Sequence, residues 1–242
     1  MQGIIRNAHN ERIDYTFHDA PGNENDIVVI GHGVTGNKDR PFVVALAEGL
    51  ANAAIPTVRI SFTGNGESGG RFEDATISKE VEDLGCVIDT LTDRQVAYVG
   101  HSMGGAVGVL RAGKDDRIKH LISLAGMVHT ESFAQTEFGD VTPDRGSMWD
   151  EPTCPLSQAY VDDMESIHSV VDHAARINVP WLLIHGTEDD VVPLQDSLDI
   201  LERANEPKSL VQIHGASHVF SDHTPQMIRI VVDWFREQAL GK

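Results

Sequence analysis

The fold of this chain is decided by the stretch Gly100-His101-Ser102-Met103-Gly104-Gly105. The apolar residues 96–99 before it predict a buried strand, and residues 106–111 after it predict a helix. A strand that turns into a helix within about two residues strains the backbone at the central serine and exposes its hydroxyl. Glycines stand two residues away on each side because a Cβ there would collide with the neighbouring chain. The stretch therefore predicts a nucleophilic Ser102 at the carboxyl edge of a sheet.

Strand and helix patterns alternate along most of the remaining chain. Two short strands at 2–7 and 12–18 predict an antiparallel start. Apolar runs predict further strands at 26–30, 57–61, 118–124, 181–185 and 209–214. Helical spacing predicts helices at 41–54, from residue 77 with Thr76 as its cap, at 194–204 and at 226–239. This order predicts an α/β fold in one domain, 1–242, with a mostly parallel sheet and helices on both faces.

The alternation stops between residues 126 and 172, where aromatic residues, prolines and acids accumulate. A structureless loop of that length is improbable in a compact domain, so we predict an inserted lid that contains short helices. A helix from 162 to 175 would return the chain to the sheet. Met148 and Trp149 are the lid residues that we expect to face a substrate, although packing between lid and body explains them equally well.

Composition limits the classes of partner. Of the 242 residues, 40% are hydrophobic and 23% are charged, as is ordinary for a globular protein, and the net charge is −18. Nucleic acid and anionic membranes would repel such a chain, so neither is an expected partner. The N-terminal residues lack the apolar core of a signal peptide, and no run approaches the length of a membrane span. Two cysteines, Cys86 and Cys154, make no disulfide framework. We therefore predict a reduced, cytoplasmic protein; the sequence leaves its oligomeric state open.

A serine nucleophile requires a base, and the base requires an acid that orients it. After the strand at 181–185 comes an acidic loop, in which Asp189 is our candidate acid and Glu188 and Asp190 are its competitors. The strand at 209–214 is followed by a loop that carries His218, the candidate base. His214 is the rival base, but it lies at the end of the strand itself. The chain order serine, acid, histidine fits a strand–turn–helix nucleophile.

A glycine-rich loop, Gly31-His32-Gly33-Val34-Thr35-Gly36, follows the strand at 26–30. It matches a dinucleotide-binding pattern, but the helix after it is delayed to Pro41 and the next strand does not end in an acid. A phosphate-binding lysine loop is also excluded, since Gly36 is followed by Asn37. An oxyanion hole explains the loop better, with the backbone N–H groups of Val34 and Met103 as its two donors.

The other histidines have simpler explanations. Strand alternation predicts that His101 points away from the nucleophile. No spacing typical of metal ligands occurs among the histidines and cysteines, so we expect neither a metal nor a cofactor.

These motifs resemble the α/β-hydrolase superfamily, and the resemblance extends over nearly the whole chain outside the lid. Within that superfamily, three segments resemble small carboxylesterases related to feruloyl (cinnamoyl) esterases: residues 33–38, 70–74 and 217–222. The resemblance implies ester hydrolysis through an acyl-enzyme, with Ser102, Asp189 and His218 as the triad and Val34 and Met103 as oxyanion donors. Ser61 and Asn65 depart from the residues usual in that family.

The sequence thus predicts a serine carboxylesterase acting on short-chain or compact esters, with a small-molecule ester as its partner. Val191 and Val219, next to the acid and the base, are expected to narrow the pocket. A feruloyl esterase, an amidase or peptidase with the same triad, and a non-catalytic receptor of the same fold are the alternatives.

Overall fold

A single sheet organises the chain. The computed structural model describes residues 3–21 and 25–239, so residue 2 of the predicted first strand and the ends of the predicted 1–242 domain lie outside it. The strands are β1 (Ile5–Arg6), β2 (Arg12–His18), β3 (Asp26–Gly31), β4 (Thr57–Ser61), β5 (Gln95–His101), β6 (Ile118–Leu124), β7 (Trp181–Gly186) and β8 (Lys208–Ile213). Their order is β1-β2-β4-β3-β5-β6-β7-β8. β2 pairs antiparallel with β1 and β4, and all other neighbours are parallel. The predicted mostly parallel sheet is confirmed.

Helices cover both faces of the sheet, as predicted. They are α1 (Pro41–Asn52), α2 (Ile77–Asp89), α3 (Met103–Ala112), α4 (Thr130–Phe138), α5 (Gln158–Ile167), α6 (Leu194–Arg203) and α7 (Thr224–Ala239). The side chains of β3 alternate between two cores. Val28 and Ile30 pack with α1 and α7 on one face, and Ile27 and Val29 pack with α2 and α3 on the other. The continuous apolar run of β3 therefore reflects a strand that is buried on both sides.

Local sequence explains α2 well. Ile77, Val81 and Leu84 are buried at helical spacing, as their periodicity predicts. The side chain of Thr76 accepts a hydrogen bond from the Lys79 amide at 3.2 Å and caps the first turn. Such a cap stabilises a helix by about 1 kcal/mol.

The segment between β6 and β7 contains α4, α5 and two short 3-10 helices, Met148–Asp150 and Val171–Arg176. The single helix predicted from 162 to 175 is wrong. α5 ends at Ile167, and His168 adopts a φ of 60° that no helix continues through. The amide of Val170 then donates to the carbonyl of Val128 at 2.9 Å, so the chain returns to the end of β6 before the second short helix begins.

No helix within residues 3–21 and 25–239 has the length and apolar character needed to cross a membrane.

Candidate active site

Ser102 occupies a strained turn between β5 and α3. Its φ of 53° and ψ of −122° lie in the positive-φ half of backbone space that side chains rarely adopt. The Ser102 amide donates to the Leu124 carbonyl at 3.0 Å, which ties the turn to β6. A Cβ on Gly100 would come within 2.1 Å of the Gly104 carbonyl oxygen, so this turn admits only glycine there. The geometry is that of a nucleophile held clear of the sheet.

The loop after β3 lies directly against this serine. A Cβ on Gly33 would approach the Cβ of Ser102 to 2.6 Å, so only glycine allows such close contact. The Gly36 amide donates to the Gly33 carbonyl at 3.0 Å and closes a turn in which Thr35 has a φ of 55°. Among the described residues, the amides of Val34 and Met103 donate no hydrogen bond. The amides of Val34 and Met103 therefore remain candidates for the two donors of an oxyanion hole.

Two hydrogen bonds of the His32 ring hold this loop in place. Its Nε2 accepts the Phe62 amide proton at 3.0 Å, so Nδ1 carries the ring hydrogen and donates to the Gly33 carbonyl at 2.9 Å. Burial lowers the pKa of His32 to about 4, which keeps the ring neutral near pH 7. A neutral ring can accept and donate at the same time, and this network requires both.

The candidate acid and base are hydrogen-bonded to each other. His218 Nδ1 lies 2.9 Å from Asp189 Oδ2, and the Asp189 side chain is fully buried. The other carboxylate oxygen accepts the amides of Val191 and Val192, each at 2.9 Å. Burial alone would raise the pKa of Asp189, but the hydrogen bonds from His185 and His218 hold it well below its usual value. The acid is ionised, and no hydrogen bond to Nε2 of His218 occurs among the described residues.

The rivals of these two residues lie elsewhere. Glu188 and Asp190 are exposed on either side of Asp189. The exposed His214 places its Nδ1 3.4 Å from the Thr187 hydroxyl.

The prediction that His101 points away from the nucleophile is wrong, because His101 lines the same cavity as Ser102. Its Nε2 lies 3.0 Å from the His218 carbonyl oxygen, and burial lowers its pKa to about 3.

Ser102 and His218 open into one cavity of about 760 Å³. Of the residues that we expected to contact substrate, Trp149, Val191 and Val219 line this cavity. Met148 does not. Its side chain is 1% exposed and belongs to the hydrophobic core, and its amide donates to the Cys154 carbonyl at 2.8 Å. The expectation that Met148 faces substrate is therefore wrong, since its side chain packs the segment between β6 and β7.

Trp149 is held over the cavity by its own backbone and by α4. Its φ of 49° is non-helical and lies in the left-handed region, and its side chain lines the cavity. The indole ring lies 4.9 Å from the ring of Phe138, and its N–H donates to Glu137 at 2.7 Å. A side chain with 44% exposure is thus held by two contacts with α4.

The profile of the prolyl oligopeptidase family matches residues 46–242. The chain belongs to this family of α/β hydrolases. The matched region contains Ser102, Asp189 and His218 and begins after the loop of Val34.

Three relatives or solved structures are similar to this chain over long stretches. Human mitochondrial palmitoyl-protein thioesterase ABHD10 is 25% identical over 171 residues, which cover 66% of this chain. The chain spans about 56% of the length of that relative. The structure of Est1E from Butyrivibrio proteoclasticus with bound ferulic acid is 26% identical, has a TM-score of 0.88, and is matched over 99% of this chain and 100% of its own. Mouse ABHD10, at 18% identity and a TM-score of 0.80 over 97% of this chain and 98% of its own, shares the fold. The chain is thus similar to a palmitoyl-protein thioesterase and to a protein whose structure holds ferulic acid.

Two residues around the candidate site that sequence reasoning missed are His32 and His185. Both are buried histidines at the ends of strands, and each is followed by glycine. That signal is visible in the sequence, but the partners of the rings are not. Within the described parts of the chain, no cluster of His, Cys, Asp and Glu side chains could hold a metal ion.

Proposed function

We propose that the protein is a serine carboxylesterase that hydrolyses compact carboxylic esters through an acyl-enzyme, without a cofactor. One observation carries this proposal: Ser102, on a strained turn, shares a cavity with His218, whose ring is hydrogen-bonded to the buried Asp189. These are the groups that acyl transfer to a serine requires.

In the first half of the proposed reaction, the Ser102 hydroxyl attacks the ester carbonyl carbon while His218 Nε2 takes its proton. The carbonyl oxygen becomes an oxyanion and accepts hydrogen bonds from the amides of Val34 and Met103. Asp189 stabilises the imidazolium that forms and holds its orientation. When the tetrahedral intermediate collapses, the C–O bond breaks and His218 gives its proton to the leaving alcohol.

In the second half, water attacks the acyl-enzyme carbonyl, and His218 takes a proton from this water. The same two amides stabilise the second oxyanion. Collapse of this intermediate returns the proton to Ser102 and releases the carboxylic acid, so that the enzyme ends as it began.

The cavity supports esters with a short chain or a single aromatic ring. Its volume of about 760 Å³ is in the range of pockets that hold small organic ligands. Trp149, Val191 and Val219 offer apolar surface beside the reacting groups. Because Trp149 belongs to the segment 126–172, we propose that this segment acts as a lid that shapes the substrate site.

A second candidate is an esterase for feruloyl or cinnamoyl esters. The ferulic acid bound to Est1E, a structure that this chain matches throughout, favours it. The name of the ABHD10 relative adds thioesters to the possible substrates, and the name of the family adds peptides.

The test is a substrate panel with a matched variant. Wild-type protein is assayed with p-nitrophenyl esters graded by acyl length, methyl ferulate, an acyl thioester and an anilide. We expect hydrolysis of the compact esters and loss of about 10⁴-fold or more in kcat for Ser102→Ala, with an unchanged circular dichroism spectrum. Full activity in Ser102→Ala would contradict the mechanism. Binding of esters without turnover by the wild type would favour the receptor alternative.

We also propose a cytoplasmic location. Both cysteines are free thiols, as a reducing compartment maintains them. The ABHD10 relative is named as mitochondrial, so fractionation of cells that express the full protein decides between the two compartments.

A further inference from the structure

His185 is a buried titratable residue that the proposed reaction does not use. It lies near the end of β7 with its side chain completely buried. Its Nε2 is 3.2 Å from Asp189 Oδ2 and 2.9 Å from the Val192 carbonyl oxygen. Its Nδ1 is 2.8 Å from the Ser197 hydroxyl on α6. Both ring nitrogens are therefore bonded, and one of them reaches the candidate acid.

The chemistry of these partners assigns the ring hydrogen. The carboxylate and the carbonyl beside Nε2 can only accept, so Nε2 carries the hydrogen. Nδ1 consequently accepts from the Ser197 hydroxyl, which is free to donate. That single hydrogen is shared: it bonds the Val192 carbonyl oxygen at 2.9 Å and also faces Asp189 Oδ2, which lies 3.2 Å from Nε2.

Asp189 Oδ2 is shared between two imidazole rings. It faces His218 Nδ1 at 2.9 Å and His185 Nε2 at 3.2 Å, while Oδ1 accepts two backbone amides. Four donors therefore surround one carboxylate. Each N–H draws charge from the oxygen that it contacts, so the donor from His185 weakens the attraction between that oxygen and a protonated His218 ring.

We infer that His185 is a positioning residue that acts through Asp189. It fixes the carboxylate toward His218, and it reduces the extent to which that carboxylate stabilises the protonated His218 ring. The inference rests on the proposed serine hydrolase function. Its consequence is that the base remains free of a proton, and ready to act, at a lower pH than Asp189 alone would allow.

Other ionisable groups around the pair are few. The ring of His101 lies 4.7 Å from that of His218. On α6, Asp196 interacts electrostatically with His185 and accepts the amides of Val128 and His129. The variants below leave these groups unchanged, so their effects cancel in the comparison.

The test uses two replacements of one ring. In His185→Gln the side-chain amide reaches the position of Nε2 and can still donate to Asp189. In His185→Asn the amide reaches only the position of Nδ1, so the contact with Ser197 is kept and the donor to Asp189 is lost. The pH profile of kcat/KM is measured for the wild type and both variants with one good ester substrate.

We expect the midpoint of the acidic limb to move upward by about half to one pH unit in His185→Asn and to stay within about 0.2 units of wild type in His185→Gln. A loss of activity by the same factor at every pH, with the limb unmoved in both variants, would indicate a structural role only and would overturn the inference. If His185→Asn does not fold, His185→Leu replaces it, with the same expected shift.

A second measurement separates this inference from the proposed function. The protonation of His218 is followed by NMR through its ring Cε1–H signal in the Ser102→Ala background, assigned by His218→Gln. The same upward shift in His185→Asn is expected there, whether or not the protein hydrolyses an ester. Catalysis that survives in Ser102→Ala would contradict the function alone, and an unmoved NMR titration would contradict the role of His185 alone.

Discussion

Replacing Glu80 with glutamine should make the protein more stable, and the gain should grow with pH. Glu80 lies on α2, is 1% exposed, and neither of its carboxyl oxygens has a hydrogen-bond partner among the described residues. Burial, with Asp83 and Asp163 nearby, raises the pKa of Glu80 well above its usual value. The folded protein therefore keeps this side chain protonated where an unfolded chain would ionise it.

The sign of the effect follows from proton binding. Above pH 4.5, the usual pKa of glutamate, the unfolded chain loses the Glu80 proton while the folded chain retains it. Because the folded state then binds more protons, a rise in pH favours unfolding, by about 1.4 kcal/mol per pH unit. This loss continues until the pH reaches the raised pKa of the folded state. Each pH unit of this loss is a sizeable part of a typical stability of about 5–15 kcal/mol.

Glutamine has nearly the same shape and cannot ionise, so Glu80→Gln removes this pH dependence. The free energy of unfolding is measured by urea denaturation at pH 5.5, 6.5 and 7.5 for the wild type and for Glu80→Gln. The difference between the two should increase with pH, by up to about 1.4 kcal/mol for each pH unit below the raised pKa of Glu80. Contributions from other groups with shifted pKa values are common to both proteins and cancel.

Glu82→Gln is the matched control, since Glu82 lies on the same helix with a side chain that is 58% exposed. Its difference from wild type should stay within about 0.5 kcal/mol at every pH. A difference between Glu80→Gln and wild type that stays constant from pH 5.5 to 7.5 would refute the reasoning, because Glu80 would then ionise equally in the folded and unfolded states.

Three shorter predictions concern the site and its supports. Gly33→Ala should lower kcat by about 100-fold or more, because the added Cβ would lie 2.6 Å from the Cβ of Ser102 and displace the Val34 amide. The measurement is steady-state kinetics with a p-nitrophenyl ester, and an unchanged kcat would contradict the assigned oxyanion loop. Asp189→Asn should lower kcat by about 10⁴-fold in steady-state kinetics, whereas Asp190→Asn, on the exposed neighbour, should retain wild-type kinetics. Thr76→Ala should cost about 1 kcal/mol in urea denaturation without changing kcat, since the cap bonded to Lys79 is lost; a change below 0.3 kcal/mol would contradict the capping role.

Much of the fold follows from local pattern. A strand that is buried on both faces has a continuous apolar run, as β3 does, and a helix that is buried along one stripe has apolar residues at helical spacing, as α2 does. Both patterns are visible in the sequence and predict their elements. The nucleophile turn is equally local, since glycine is required within two residues of Ser102 on either side. The acid and the base follow next, because they must come from the loops after later strands.

The segment between β6 and β7 could not be predicted in the same way. The orientation of Trp149 depends on its φ of 49° and on the hydrogen bond to Glu137, twelve residues earlier. The break at His168 depends on the bond from Val170 back to Val128. Contacts of this kind leave no periodic pattern in the sequence. The helix predicted from 162 to 175 was therefore extended past His168, where the chain turns.

The histidines at strand ends explain why the site's loops hold their geometry without regular structure. Three buried rings each contact the carbonyl oxygen of a site loop. His32, after β3, contacts that of Gly33 at 2.9 Å, and His101, at the end of β5, contacts that of His218 at 3.0 Å. His185, in β7, contacts that of Val192 at 2.9 Å. A loop carbonyl that is bonded to a buried ring cannot rotate, so the amides and side chains next to it are fixed as well. Glycine follows His32 and His185 because the chain passes too close for a Cβ, which would approach Ser102 Cβ to 2.6 Å in one case and the Ala216 carbonyl oxygen to 2.1 Å in the other. The catalytic geometry that we propose therefore depends on three rings that never touch the substrate's reacting carbon, and on the strand ends that carry them.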